Sequence, residues 1–479
     1  MTAEHVDVLI VGAGLSGVGA AWRLQNEHPE RTYLILEGRD RLGGTWDLFR
    51  YPGIRSDSDM YTLSYPFRPW RNSKAIADGD DIWQYIDDTA SEGGIDKHIR
   101  YGHWVKSADW SSGDARWTVT SVVDGAEVTH TASFVYFCSG YYSYDAPYQP
   151  ELAGLSEFEG TVVHPQFWPA DLDHTGQKVV VVGSGATAVT LVPSMADEAE
   201  HVTMLQRTPT YITALPAEDK LAQLTLRVLP DGVGHRVNRA RMGAMTVAMY
   251  QLCRRFPKQA KKLLLGRAQK MLPEGYDMRH FTPPYDPWDQ RLCVVPSGDL
   301  FRQIRRGNAS VVTDTIETFD ATGVQLTSGE RLDADIVVTA TGLAVQTFGG
   351  ADISIDGRVV DTSETYAYKG LMFSGIPNLA YCIGYTNASW SLRADLSHQY
   401  VMKLLGHLDE HGYRSATPLL GEDVGDRPFL DLDSGYVRRA AAVLPKQGST
   451  RPWTVRQNWI LDSIDMARTD LTEDMAFSS

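Results

Sequence analysis

Two stretches of the chain share one alternation of strand-like and helix-like hydrophobic patterning. Residues 6–11 (VDVLIV) are an apolar, β-branched run that ends in the glycine cluster GAGLSG, residues 12–17. A run of that length closed by glycines reads as a strand and a turn. Ala20, Ala21, Trp22 and Leu24 follow in a helix-like stretch, and residues 32–36 form a second apolar strand closed by Glu37. The pattern predicts a β–α–β unit. It returns in Lys178–Val182, with Gly183, Gly185 and Ala188 spaced as GxGxxA, and in residues 202–205, which run into Gln206, Arg207 and Thr208. Each unit is followed by an alternating segment with turn signals and then by an apolar strand ending at glycine. In the first copy, Arg116–Val123 turns at Asp124-Gly125 and leads to residues 134–140. In the second, residues 311–330 lead to 336–342. Both copies predict a β meander.

The glycine spacing points to dinucleotide binding. Gly12, Gly14 and Gly17 stand as GxGxxG. The first glycine makes the tight turn, the second lets the backbone approach a pyrophosphate, and the third lets helix and strand pack closely. The helix that follows turns free N–H groups toward the phosphates. Glu37 lies where an acid can accept hydrogen bonds from a ribose, so the first unit suits FAD or NAD. At the matching place in the second unit stands Arg207, whose planar guanidinium suits a 2′-phosphate and hence NADPH. The plainer alternatives are a glycine-rich turn of another α/β fold and a solvated arginine.

Composition narrows the function classes. The chain has 479 residues, 43% of them hydrophobic and 22% charged, with a net charge of −15. Disorder is a poor reading of such a composition, and the acidic balance disfavours nucleic acid as a partner. Cys138, Cys253, Cys293 and Cys382 are far apart, without a CxxC pair, so neither a dithiol centre nor a cysteine zinc site is expected. No metal-ligand spacing appears. The N-terminus lacks the basic region of a signal peptide and no comfortable membrane span is evident, so a cytoplasmic protein is expected. One stretch departs from the rest. Residues 215–280 hold 13 Lys/Arg against 5 Asp/Glu, with Met and Leu at helical spacings. They predict a basic helical insertion. Such a run is most often a solvated face; weak peripheral contact with anionic lipid, or contact with another subunit, is the other reading.

Residues 158–169 read FEGTVVHPQFWP, which periodicity does not explain. The pattern Phe158-x-Gly160-x-x-x-His164-x-x-x-Trp168-Pro169 resembles the fingerprint of Baeyer–Villiger monooxygenases, placed just before the second nucleotide motif as in that family. Residues 43–63, 287–292 (PWDQRL), 339–342 (TATG) and 384–390 (GYTNASW) resemble the mycobacterial ethionamide-activating subgroup of these class B flavoprotein monooxygenases. The resemblance extends over essentially the whole chain. It implies FAD and NADPH as cofactors, dioxygen as co-substrate, and conversion of ketones to esters or lactones through a C4a-peroxyflavin. It also implies oxidation of sulfides or thioamides to S-oxides.

The resemblance places FAD on Gly12, Gly14, Ser16, Gly17 and Glu37, and adds Gly44, Thr45 and Trp46 along the flavin, Val105 at the adenine and Asn387 in the segment returning to the flavin. It places NADPH on Gly183, Ser184, Gly185, Ala186, Thr187, Arg207 and Thr208. Arg55, Ser56 and Asp57 fall where flavin and nicotinamide meet. Trp453 would match a tryptophan folding over the nicotinamide nucleotide. Arg291 with Asp57 is the expected catalytic pair, and Gln290 stands where many relatives carry a lysine for the 2′-phosphate. His164 is expected to position or hinge the linker, while His280 and His398 are expected to be surface or packing histidines rather than ligands.

The implied fold is α/β, with two Rossmann-like domains for FAD and NADP, each with a β meander. The FAD domain is split into 1–145 and 346–479, and the NADP domain into 146–213 and 288–345, around the insertion 214–287. Residues 411–450 carry no interpretable motif. Three other functions compete: an S- or N-oxygenating flavin-containing monooxygenase with little Baeyer–Villiger activity, a nucleotide–disulfide reductase, and a non-enzymatic sensor. Trp168-Pro169 argues against the first, the missing dithiol against the second, and the Arg291–Asp57 pair against the third.

Overall fold

The structure is a computed structural model that describes residues 3–422, 424–430 and 435–479. Its largest sheet has nine strands. Glu4–Val11 lies at its centre, parallel to Tyr33–Leu36 on one side and to Ala126–Phe137 on the other. The strand is apolar on both faces because both are covered. Val8 and Ile10 pack into one hydrophobic cluster, and Leu9 and Val11 into another on the opposite face. Trp104–Ser111, Arg116–Val123 and Ala126–Phe137 form the antiparallel meander. Its two-residue turn at Asp124-Gly125 has φ of 50° and 82°, the positive values that a hairpin of matching twist requires. The edge of this sheet comes from residues 352–359, and Leu379–Tyr381 pairs with Ala126–Phe137.

A second sheet of five parallel strands runs in the order Ala309–Thr313, His201–Gln206, Lys178–Val182, Ile336–Thr339, Thr161–Val163. It repeats the two-faced burial of the first: Val179 and Val181 enter one cluster, Val180 and Val182 another. The second meander, Ile316–Asp320, Gly323–Leu326 and Arg331–Asp333, is a separate three-stranded sheet.

Between the sheets' chain segments lie three helices, Lys220–Val228, Asp231–Arg255 and Pro257–Met271. Among the described residues no helix is long and apolar enough to cross a membrane. All four cysteines are free and buried.

The fingerprint at 158–169 has a packing reason. A Cβ on Gly160 would lie 2.5 Å from the Phe158 ring and 2.4 Å from the Asp335 carbonyl, so the chain can fold over Phe158 only with glycine there. Phe158 packs edge-on against Phe319. His164 Nδ1 accepts from the Gln166 N–H, and burial lowers the imidazole pKa. Gln166 Nε2 donates to the Ser143 and Tyr144 carbonyls at 3.0 Å each. The motif thus ties the linker strand to the 143–144 loop.

Candidate active site: a cleft between two nucleotide motifs

The two glycine turns differ in what surrounds them. Gly12 has φ 100°, and a Cβ there would meet the Cys138 carbonyl at 2.8 Å. A Cβ on Gly17 would lie 1.9 Å from the Gly12 carbonyl oxygen, so the helix Leu15–Glu27 starts hard against the turn. Gly183 has φ 146° and stands against the Ala340 carbonyl, 2.3 Å from a would-be Cβ. Gly185 faces open space, with nothing within 4 Å. That is the position that must let a phosphate approach. Both following helices begin at a glycine without a side-chain cap, which leaves their first N–H groups available to an anion. We therefore expect Gly185→Ala to fold with an unchanged melting temperature and to raise KM for NADPH about tenfold or more through loss of backbone–phosphate approach. Thermal melts and nucleotide titration would check both halves.

A single cleft of about 350 Å³ joins the motifs. Gly12, Gly14, Ser16, Glu37, Gly44, Thr45, Trp46 and Val105 line one side. Ala186, Thr187, Arg291 and Val294 line the other, and Arg55, Ser56 and Asp57 lie between. Glu37 is buried, and burial pushes its carboxyl pKa up. Its Oε2 accepts from the Ala13 N–H at 2.7 Å and its Oε1 from the Arg39 N–H at 3.0 Å. Arg291 Nη2 lies 2.7 Å from Asp57 Oδ2, with the side chains 37% and 27% exposed, so both remain within reach of a bound substrate. Beside them Arg55 Nη1 donates to Asp299 Oδ2 at 2.6 Å, and Arg55 Nη2 is buried with no partner among the described residues. An unmatched buried donor at a cleft wall suits an anionic group of a cofactor.

The domain family described as "NAD(P)-binding Rossmann-like domain" matches residues 10–88. The chain is 53% identical over 474 residues to the FAD-containing monooxygenase EthA of Mycolicibacterium smegmatis, covering 98% of this chain and 96% of the relative. The chain belongs to the EthA family of FAD-containing monooxygenases. Solved structures share its fold. An oxidized steroid monooxygenase bound to NADP superposes with a TM-score of 0.79 at 22% identity, covering 99% of each chain. An open cyclohexanone monooxygenase does so with 0.79 at 20% identity, covering 100% of each chain.

Within this EthA-family monooxygenase, several expected site residues stand back from the cleft. Gly17, Gly183, Ser184, Gly185, Arg207, Thr208 and Asn387 do not line it. Ser184 Oγ donates to the Thr208 carbonyl at 3.0 Å, which holds the second glycine turn to the strand end that presents exposed Arg207. Asn387 Nδ2 donates to the Gln457 carbonyl at 2.8 Å, and its neighbours Thr386 and Ala388 reach the cleft instead. Trp453 also stands apart from the cleft. Its side chain is 1% exposed, packs edge-on against Tyr368 and donates through Nε1 to Asp474 Oδ2 at 2.8 Å. It packs as a core residue. His398 is also a core residue; burial lowers its pKa to about 3, and Nδ1 pairs with the Tyr136 hydroxyl at 2.8 Å.

The EthA-family cleft also has walls that the motifs did not announce. Tyr51 is buried and lines the cleft with Thr187, and its phenol is pushed up to about 12 by burial. It joins the two halves of the cleft. Tyr142 OH pairs with Thr45 Oγ1 at 2.5 Å. Trp390 donates through Nε1 to Ser16 Oγ at 2.8 Å and stacks on Tyr141. Leu343, Gln346, Phe348 and Leu430 also line it. A cluster of aromatic residues at 141, 142 and 144 was a readable signal; Leu430, in a stretch without a motif, left none.

Proposed function

We propose that this protein oxygenates ketones to esters or lactones, and sulfides or thioamides to S-oxides, using FAD, NADPH and dioxygen. The observation that carries the reading is the Arg291–Asp57 pair in a cleft lined from both nucleotide motifs. The cradle fits the cofactors: the Gly12 turn and Glu37 fit FAD, and the open approach at Gly185 with exposed Arg207 fits NADPH. When bound, NADPH supplies two electrons and FAD uses them to activate dioxygen.

The chain's own residues then set the outcome. Arg291 stays charged at any working pH. Asp57 holds its guanidinium in place, so the positive charge faces the oxygen of a substrate carbonyl as negative charge develops there. Charge fixed before the reaction stabilises that state without reorganisation. The aromatic walls at Tyr51, Tyr141 and Tyr142 limit water and favour an apolar substrate. Arg207 carries the preference for the 2′-phosphate, because Gln290 offers no cation beside it.

The two sheets support reading 1–145 with 346–479 as the FAD domain and 146–213 with 288–345 as the NADP domain, around the insertion 214–287. Buried free cysteines suit a reducing, cytoplasmic compartment.

Product analysis tests the reading. Holoenzyme given NADPH, air and a methyl ketone should form ester in step with NADPH consumed, and an aryl sulfide should give sulfoxide. Sulfoxide without ester would move the protein to an S-oxygenase, the second reading. Peroxide release in place of both products would sink the assignment.

A further inference from the structure

The helix Asp231–Arg255 buries polar side chains and exposes apolar ones. Its inner face carries polar side chains, all buried: His235, Asn238 and Arg239. They satisfy carbonyls of the neighbouring chain. Arg239 Nη1 donates to Thr62 O at 2.8 Å and Ser64 O at 2.7 Å, His235 Nε2 to Tyr65 O at 3.0 Å, and Asn238 Nδ2 to Ala222 O at 3.1 Å. Met242, Val247 and Cys253 are buried on the same helix, and the remaining large apolar side chains lie outside. Val233, Val237, Met245, Met249, Leu252 and Phe256 are each between 39% and 48% exposed. Ala240, Ala244 and Ala248 fall between them at the three- and four-residue steps of one helical stripe, also exposed. The stripe runs the length of a helix of about 37 Å. Its neighbour Trp459–Ala467, whose Trp459 packs against Gly243, adds exposed Ile460, Leu461 and Ile464. Scattered surface apolar residues are ordinary, but a continuous stripe of this kind marks a contact surface.

The charge of the same segment says what the contact is. Residues 232–273 contain ten Lys/Arg and no Asp or Glu, in a chain of net charge −15. Arg241 and Arg254 are paired with Asp219 and Asp289. Among the described residues, Arg255, Lys258, Lys262, Arg267 and Lys270 are exposed and have no acidic partner. Leu263, exposed on the helix Pro257–Met271, lies one and two turns from Arg267 and Lys270. A second copy would bring this cationic surface against itself in a two-fold contact, which like charges oppose. An anionic lipid surface accepts both halves: the stripe enters the acyl boundary and the cations meet the headgroup phosphates.

We propose that the outer face of Asp231–Arg255, continued by Pro257–Met271, docks the enzyme peripherally on an anionic bilayer. The test is co-sedimentation of FAD-loaded enzyme with phosphatidylglycerol–phosphatidylcholine vesicles and with phosphatidylcholine vesicles alone, across salt. Two variants accompany it, Met245→Glu/Met249→Glu for the stripe and Lys258→Glu/Lys262→Glu for the cations. None of these residues lines the cleft, so sulfide oxidation without vesicles should stay unchanged. Wild type should bind the anionic vesicles, less as salt rises, and each variant should bind roughly tenfold more weakly or worse. The charge variant, wholly on the surface, decides the matter if the stripe variant loses its FAD. Equal binding to neutral vesicles, no binding at low salt, or undiminished binding by the charge variant would overturn the proposal. So would light scattering that shows a dimer dispersed by the variants without vesicle binding, since the face would then be an interface between copies.

Discussion

Arg291→Ala is expected to keep its FAD and to lose about two to three orders of magnitude in the rate of ester formation from a ketone, the usual cost of removing a preorganised group that stabilises developing charge. The geometry explains why the loss should be confined to chemistry. Arg291 lies 2.7 Å from Asp57, and both are partly exposed to the cleft. Neither contributes to the hydrophobic clusters beneath the sheets. Its removal leaves the Gly12 turn, Glu37 and the Trp390–Ser16 contact intact. Sulfide oxidation places no comparable negative charge on a carbonyl oxygen, so it should fall less. Flavin absorbance per protein, ester yield and sulfoxide yield, measured on one preparation, separate the possibilities. Full ketone activity in the variant would remove Arg291 from the mechanism. Loss of FAD would show a structural role.

Gly17→Ala should do the opposite, destroying the fold of the first nucleotide site before any chemistry is reached. The added methyl would lie 1.9 Å from the Gly12 carbonyl oxygen and 3.6 Å from Cys138 Cβ. Backbone cannot yield there cheaply, because the Gly12 N–H donates to the Leu36 carbonyl at 2.8 Å and Cys138 N–H to the Val11 carbonyl at 2.7 Å. The helix Leu15–Glu27 would have to move away from the central strand and expose Val18 and Ala21, which are wholly buried. We expect a loss of about 4 kcal/mol or more, at the upper end for single substitutions. The melting temperature should drop by roughly 10 °C or the protein should purify without flavin, since about 2–4 °C accompanies each kcal/mol in a domain of this size. A variant that bound FAD and melted like wild type would show that helix and turn are not in contact as described.

Both predictions draw on what was legible along the chain, but to different depths. The role of Gly17 is local. A short apolar run, a glycine spacing and a following helix specify a turn whose third glycine must be small, and its partner Gly12 is five positions away. The β–α–β units, the Asp124-Gly125 hairpin and the two-faced burial of the central strands are legible for the same reason: their determinants lie within a few residues of each other.

The rest was decided by packing between distant segments. Arg55 meets Asp299 across 244 positions, and no periodicity relates them. Resemblance sets Trp453 over the nicotinamide nucleotide, yet Tyr368 and Asp474 hold it in the core. Leu430 reaches the cleft from a segment without a motif. The helix Asp231–Arg255 is the clearest case. Read alone, its segment is a basic run with Met and Leu at helical spacings, most often a solvated face. The tertiary structure decides which side faces in: Arg239 and His235 donate to the carbonyls of Thr62, Ser64 and Tyr65, beside Ser391 Oγ on Thr62 and the Arg68 N–H on Tyr65. Satisfying buried carbonyls competes with burying apolar side chains along one helix, since a buried acceptor left unpaired costs about as much as burying a side chain gains.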